Sequence, residues 1–225
     1  IGRGDTTLYI RPVVFATEPT IVASPSKEFS FFILCSPASA YYFNPLSVLI
    51  EDTFIRAAKG GVGYAKAAGN YAGSFYPTSL AIEKGFDQIV WTDSVNHKLI
   101  EEAGTMNIFF RINNKLITPE HTDTILDGVT RKSVITVAKD SGIDLEIRDI
   151  EVSEIIQEYE NGNLTEVFGA GTAAVIAPIS SFGYKEKKYI LKDIDDAFGP
   201  IIKKKIVDIQ NNLTEDKYNW RYQVI

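Results

Sequence analysis

Lys66 stands in a run of small residues: Gly60, Gly61, Gly63, Ala65, Ala67, Ala68 and Gly69. Small neighbours let a bulky planar ligand come close to the backbone. A lysine amine that loses its proton through desolvation attacks a carbonyl carbon and forms a Schiff base. On composition alone the run also reads as an exposed lysine in a flexible loop. Two further stretches bear on chemistry. Gly128-Val129-Thr130-Arg131-Lys132-Ser133 opens a predicted helix, and helix N-termini attract anions through their free amides. Gly169-Ala170-Gly171-Thr172-Ala173-Ala174 spells a G-x-G-x-x-A pattern. A dinucleotide fingerprint must open a helix. Here Val175-Ile176-Ala177-Pro178-Ile179 follows, a strand pattern that reaches a proline, so the nucleotide reading is rejected and a tight turn expected.

Taken in order, these motifs resemble the branched-chain aminotransferases, which are fold-type-IV pyridoxal-phosphate enzymes. Lys66-Ala67-Ala68-Gly69-Asn70-Tyr71 is similar to the family's cofactor-lysine motif. Glu102-Ala103-Gly104-Thr105-Met106-Asn107-Ile108-Phe109 is similar to its pyridine-binding motif. Tyr9-Ile10-Arg11-Pro12, Gly60-Gly61-Val62-Gly63, the Gly-Thr turn at 171–172 and Trp220 extend the likeness to the end of the chain.

The resemblance implies the site. Lys66 would be the Schiff-base lysine and, once released, the base that moves a proton from the substrate Cα. Glu102 would pair with the ring nitrogen, and Tyr71 would hydrogen-bond the ring oxygen. The amides of Val129 and Thr130 and the Thr172 hydroxyl would hold the phosphate of pyridoxal 5'-phosphate. Tyr9, Arg11, Tyr41, Thr105, Thr172 and Ala173 would surround the substrate, with Arg11 as the cation that meets a glutamate side chain. Glu101 reads as a solvated neighbour of Glu102. The implied reaction is transamination of leucine, isoleucine or valine with 2-oxoglutarate, in a cytoplasmic homodimer of the amino-acid biosynthesis type. Other readings are a D-amino-acid aminotransferase, an aminodeoxychorismate lyase, or a non-catalytic domain that kept the fold. The C-x-x-C pair of mammalian members is absent from Ala174 to Ala177.

The elements that must position these residues mix strands and helices without strict βαβ alternation. Strands are expected near 7–15, 29–35, 47–51, 87–92, 107–113, 115–118, 144–150, 164–168, 173–179 and 187–191. Helices are expected over 78–84 after Pro77, over 128–140, from a Ser153 cap to about 160, and over 197–212. Residues 60–71 are too glycine-rich for a regular interior. The fold class is α+β or mixed α/β. The resemblance adds a large domain with a mostly antiparallel sheet or barrel and flanking helices. Residues 1–16 then end a small domain and begin a linker strand, 17–24 form an interdomain loop, and 25–225 make the large cofactor-binding domain. The smaller N-terminal domain that precedes the Tyr-Ile-Arg-Pro strand in the family is not matched by residues 1–6.

Composition sets the outer limits. The 225 residues are 45 % hydrophobic and 23 % charged, an ordinary globular balance. A net charge of −6 gives no basic surface for nucleic acid. No apolar run approaches the ~20 residues of a membrane helix. One cysteine, Cys35, excludes an internal disulfide, and two histidines are too few for a His-rich metal site. Arg3-Gly4-Asp5 and the Asn163 and Asn212 sequons are matches of spelling alone. Lys203-Lys204-Lys205 reads as a solvated helix face between Ile201, Ile202, Ile206 and Ile209.

Overall fold

A computed structural model describes residues 7–38 and 44–223. It forms two compact units, Ile1–Phe43 and Asn44–Ile225. In the first unit, β1 (Thr7–Ala16) pairs antiparallel with β2 (Phe29–Ala38), so β2 belongs with β1.

The second unit carries nine strands: β3 (Leu46–Ile50), β4 (Gln88–Thr92), β5 (Ile100–Ala103), β6 (Asn107–Ile112), β7 (Lys115–Thr118), β8 (Leu145–Ile147), β9 (Leu164–Gly171), β10 (Val175–Tyr184) and β11 (Lys187–Ile190). Their order is β5-β4-β3-β10-β9-β6-β7-β8, with β11 on β10. Most pairs are antiparallel; β3–β4, β3–β10 and β7–β8 are parallel. A bridge from Ala103 to Met106 returns β5 to the start of β6. The run from β5 through β4, β3, β10 and β9 to β6 therefore closes on itself.

Closure gives the sheet two apolar faces. Inside, Val48, Val90, Ile108, Phe110, Val167 and Phe182 meet around a small cavity capped by Ile155. Ile155 comes from α4 (Val152–Glu160). Outside, Phe109, Phe168 and Ile176 pack with Val134 and Val137 of α3 (Val129–Asp140) and Ile202 and Ile206 of α5 (Phe198–Gln210). Ala81 of α2 (Phe75–Glu83) covers Leu49, Ile89 and Trp91.

Several boundaries differ from the expectation. α2 starts at Phe75, so Pro77 lies inside its first turn, where a missing N–H breaks no helical bond. A short helix, α1 (Ala68–Ala72), interrupts the glycine-rich stretch. α4 begins on Glu151 without a side-chain cap, and Ser153 Oγ donates to Glu151 Oε2. β9 and β10 run to 171 and 184, because each pairs with a neighbour along its length. Ile201 is exposed, and Lys203 Nζ reaches back to the Ile176 carbonyl.

Candidate active site

The loop that carries Lys66 is tied down from two sides. Asn70 Nδ2 donates to the carbonyls of Val62 and Ala65 at 2.8 and 3.0 Å. On the other side, Tyr64 N donates to Asp123 O at 3.0 Å, and Gly60 N to Asp123 Oδ2 at 2.5 Å. Gly63 is buried, and a Cβ there would stand 2.6 Å from Ala57 Cβ and 2.7 Å from Thr124 Cα. Glycine is required for that close approach. α1 then sets Tyr71 five residues after the lysine, and Lys66 Nζ donates to Tyr71 Oη at 2.8 Å. Lys66 is exposed and Tyr71 half-buried. The exposed amine thus has a phenol as its hydrogen-bond partner.

Beside this loop lies a buried ion pair. Glu102 is 3 % exposed and sits on β5. Arg56 Nε stands 2.9 Å from Glu102 Oε1. Asn107 Nδ2 donates to Glu102 Oε2 at 3.2 Å, and Leu126 N to the same oxygen at 3.3 Å. Burial pushes the Glu102 carboxyl up to about 7, against the pull of Arg56 and the Leu126 amide, and the Lys66 charge is also felt there. Arg56 is the residue that sequence reading missed. Its Nη1 donates to Gly63 O and Thr124 O at 3.1 and 2.8 Å, so one guanidinium fixes both the lysine loop and the Glu102 carboxylate. Ile55-Arg56-Ala57 carries no spacing signal, because its partner lies far along the chain.

Asn107 joins this pair to the start of α3. Its amide also donates to Leu126 O at 3.0 Å, and a Cβ on Gly128 would collide with Asn107 Oδ1. Gly128 is the N-cap of α3, and no side chain caps that helix. The amides of Val129 and Thr130 therefore open a helix whose first N–H groups lack intrahelical partners. In the sheet Asn107 faces Ala170, next to the 171–175 turn. A Cβ on Gly171 would lie 3.3 Å from Thr105 O, which places that turn beside Thr105. Thr172 and Ala173 are exposed on the turn. Val175 after it has φ 60°, a strained value for a β-branched residue. Strand follows, as the rejection of a nucleotide fingerprint requires.

Contacts within the second unit thus gather Lys66, Tyr71, Glu102, the α3 start, Thr105 and the Thr172–Ala173 turn. Tyr9 and Arg11 lie on β1 in the first unit, where Arg11 Nη2 donates to Tyr9 Oη at 2.7 Å. Tyr41 lies outside the described residues. Glu101 corrects the expectation of a solvated side chain: it is 6 % exposed and accepts from Thr124 Oγ1 at 2.6 Å. Among the described residues, no group of three or more His, Cys, Asp or Glu could hold a metal, and no helix is long and apolar enough to cross a membrane.

A family model described as amino-transferase class IV matches residues 2–182. The chain belongs to that family. It is 44 % identical over 99 % of its length to a probable branched-chain-amino-acid aminotransferase of Staphylococcus aureus, and spans 63 % of that protein. It is 41 % identical over 97 % of its length to branched-chain-amino-acid aminotransferase 2 of Bacillus subtilis, and spans 61 % of it. The crystal structure of a branched-chain aminotransferase from Thermoproteus uzoniensis with norvaline is similar, with a TM-score of 0.80 and 28 % identity. That match covers 94 % of this chain and 67 % of the other. The class IV aminotransferase fold is the mixed α/β fold, with its mostly antiparallel closed sheet, described above.

Proposed function

We propose that this chain carries the cofactor site of a pyridoxal-phosphate-dependent aminotransferase acting on leucine, isoleucine and valine with 2-oxoglutarate. The Lys66–Tyr71 contact at 2.8 Å, beside the buried Glu102–Arg56 pair, carries this reading. The relatives' names support the substrate class. The residues present fit the cofactor. Lys66 is the amine for its aldehyde, Tyr71 the donor to its ring oxygen, and Glu102 the acid at its ring nitrogen. The α3 start and the Thr172 hydroxyl are donors for its phosphate.

Bound there, pyridoxal phosphate supplies an electron sink for the substrate Cα–H bond. Glu102, fixed by Arg56, Asn107 and the Leu126 amide, would keep a proton on the ring nitrogen. Tyr71 Oη holds the Lys66 amine in place before the cofactor arrives. Lys66 Nζ, free once the substrate amine has replaced it at the aldehyde carbon, would carry a proton between the substrate Cα and that carbon. The amides of the 171–175 turn hold the substrate carboxylate near Thr105 and Ala173. Tyr9, Arg11 and Tyr41 as substrate residues, a homodimer and a cytoplasmic location belong to the same reading and rest on the family resemblance alone.

Borohydride reduction of the cofactor-loaded protein, followed by peptide mapping, tests the assignment. The expected pyridoxyl adduct is on Lys66, and Lys66→Ala loses turnover by several orders of magnitude. An adduct on another lysine, with Lys66 unmodified, overturns it.

A further inference from the structure

Successive strand residues point to opposite faces, so one of two adjacent glutamates is expected to meet solvent. On β5 neither does: Glu101 is 6 % and Glu102 3 % exposed. The two carboxyls are provided for very differently. Glu102 receives Arg56 Nε, Asn107 Nδ2 and the Leu126 amide. Glu101 receives one neutral donor, Thr124 Oγ1, on Oε1, while its buried Oε2 has no hydrogen-bond partner. Glu101 forms no ion pair among the described residues. Arg56 is the cation whose field it feels, and that guanidinium is spent on Glu102 and on the Gly63 and Thr124 carbonyls. The remaining charges that face it are negative: Glu102 on its own strand, Asp93 after β4, and Asp123 from the 122–126 segment. An ionised Glu101 would be a buried anion with one neutral donor, set against other anions.

We propose that Glu101 is a positioning residue that stays the uncharged acid beside Glu102, leaving Arg56 to Glu102 alone. Glu102 is then the single anion at the cofactor's ring nitrogen; that last clause rests on the function proposed above, whereas the protonation of Glu101 does not. The protonated carboxyl turns the 2.6 Å contact into a donation to Thr124 Oγ1. Thr124 then hands its own hydrogen to Thr122 Oγ1, 2.9 Å away. Burial pushes both glutamates up to about 7, and the Glu101 charge raises Glu102 further. The unequal donors decide which member keeps the proton.

Infrared difference spectra of the cofactor-free protein near neutral pH read this directly. Glu101→Gln is expected to remove a protonated-carboxyl band that Glu102→Gln leaves in place. Glu166, the other carboxyl raised by burial, contributes a band of its own, which Glu166→Gln subtracts. Thermal unfolding gives a second readout. A carboxyl that keeps its proton in the fold but not in the unfolded chain loses stability as pH rises. The Tm advantage of Glu101→Gln over wild type should therefore grow from about pH 4.5 to about 7 and then level off. A band lost only in Glu102→Gln, or a pH-independent Tm difference, overturns the proposal. If Glu101→Gln does not fold, Glu101→Ala serves the same subtraction. In the loaded protein, Glu102→Gln should shift the cofactor's visible absorbance. No shift, with the Glu101 band behaving as expected, sinks the ring-nitrogen reading and leaves the Glu101 assignment standing.

Discussion

Arg56 reaches Glu102, Gly63 and Thr124 with one planar group, a fork that a lysine ammonium cannot reproduce. Removing one member of a buried ion pair leaves the other charge uncompensated, at about 3–5 kcal/mol. Arg56→Met should therefore lower unfolding free energy by that order in urea titrations, and it should loosen the 60–66 loop. A loss below about 1 kcal/mol would mean that Glu102 is served well enough by Asn107 and the Leu126 amide. Glu102→Gln tests the chemistry of the same pair. The amide keeps the shape and one acceptor for Arg56, but it carries no charge to hold a proton on a ring nitrogen. Its half-reaction rate should fall more than its cofactor affinity, measured by stopped-flow and by titration. An equal or larger fall in Glu101→Gln would assign the ring nitrogen to Glu101 instead. At this scale Lys66, Tyr71 and Glu102 were legible because local motifs mark them. Arg56 and the burial of Glu101 were not, because both depend on the distant 122–126 segment folding against them.

Elements place these residues through ends more than through interiors. α3 begins at 129, one residue inside the expected 128–140, with Gly128 as its cap and Val134, Val137 and Ala138 on its buried face. Gly128 has φ −67°, which any residue adopts, so its requirement is steric. Gly128→Ala forces aside an Asn107 amide pinned to Glu102 and Leu126, and such overpacking costs about 1–3 kcal/mol. Lower thermal stability and weaker cofactor binding are expected together; unchanged cofactor affinity would separate the α3 start from the phosphate. α5 shows what sequence could not predict. Its first amides, at Phe198 and Gly199, donate to Glu166 of β9 at 2.7 and 2.8 Å, a cap supplied from another element. Glu166→Ala should cost about 0.5–2 kcal/mol in chemical denaturation, the range for a lost helix cap. β5 itself was missed because two glutamates in a four-residue strand look like surface, and only its pairing to β4 and bridge to β6 make it sheet.

At the scale of the whole molecule, two groups of carboxyls shift in opposite directions. Glu101, Glu102 and Glu166 are raised by burial. Asp127, Asp140, Glu146 and Asp196 are lowered, each first by a hydrogen bond from a lysine or arginine side chain. The lowered group lies at the surface, where solvent and salt screen each contact. Its stabilisation is present above the ordinary carboxyl range and is lost as acid protonates these groups. The buried group works in the opposite sense. The folded chain keeps protons that the unfolded chain releases, so stability falls from about pH 4.5 toward 7. The lowered carboxyls are ionised in both states above about pH 5 and add no slope there, and a net charge of −6 adds repulsion as the last protons leave. The cofactor-free chain should therefore be most stable on the acid side of neutrality, with Tm falling from about pH 4.5 to about 7. The fall should be shallower in a Glu101→Gln, Glu166→Gln double variant and nearly unchanged by added salt, because the responsible groups are buried. A Tm that rises steadily over the same interval would show that surface ion pairs, and not the buried carboxyls, govern the fold's response to pH.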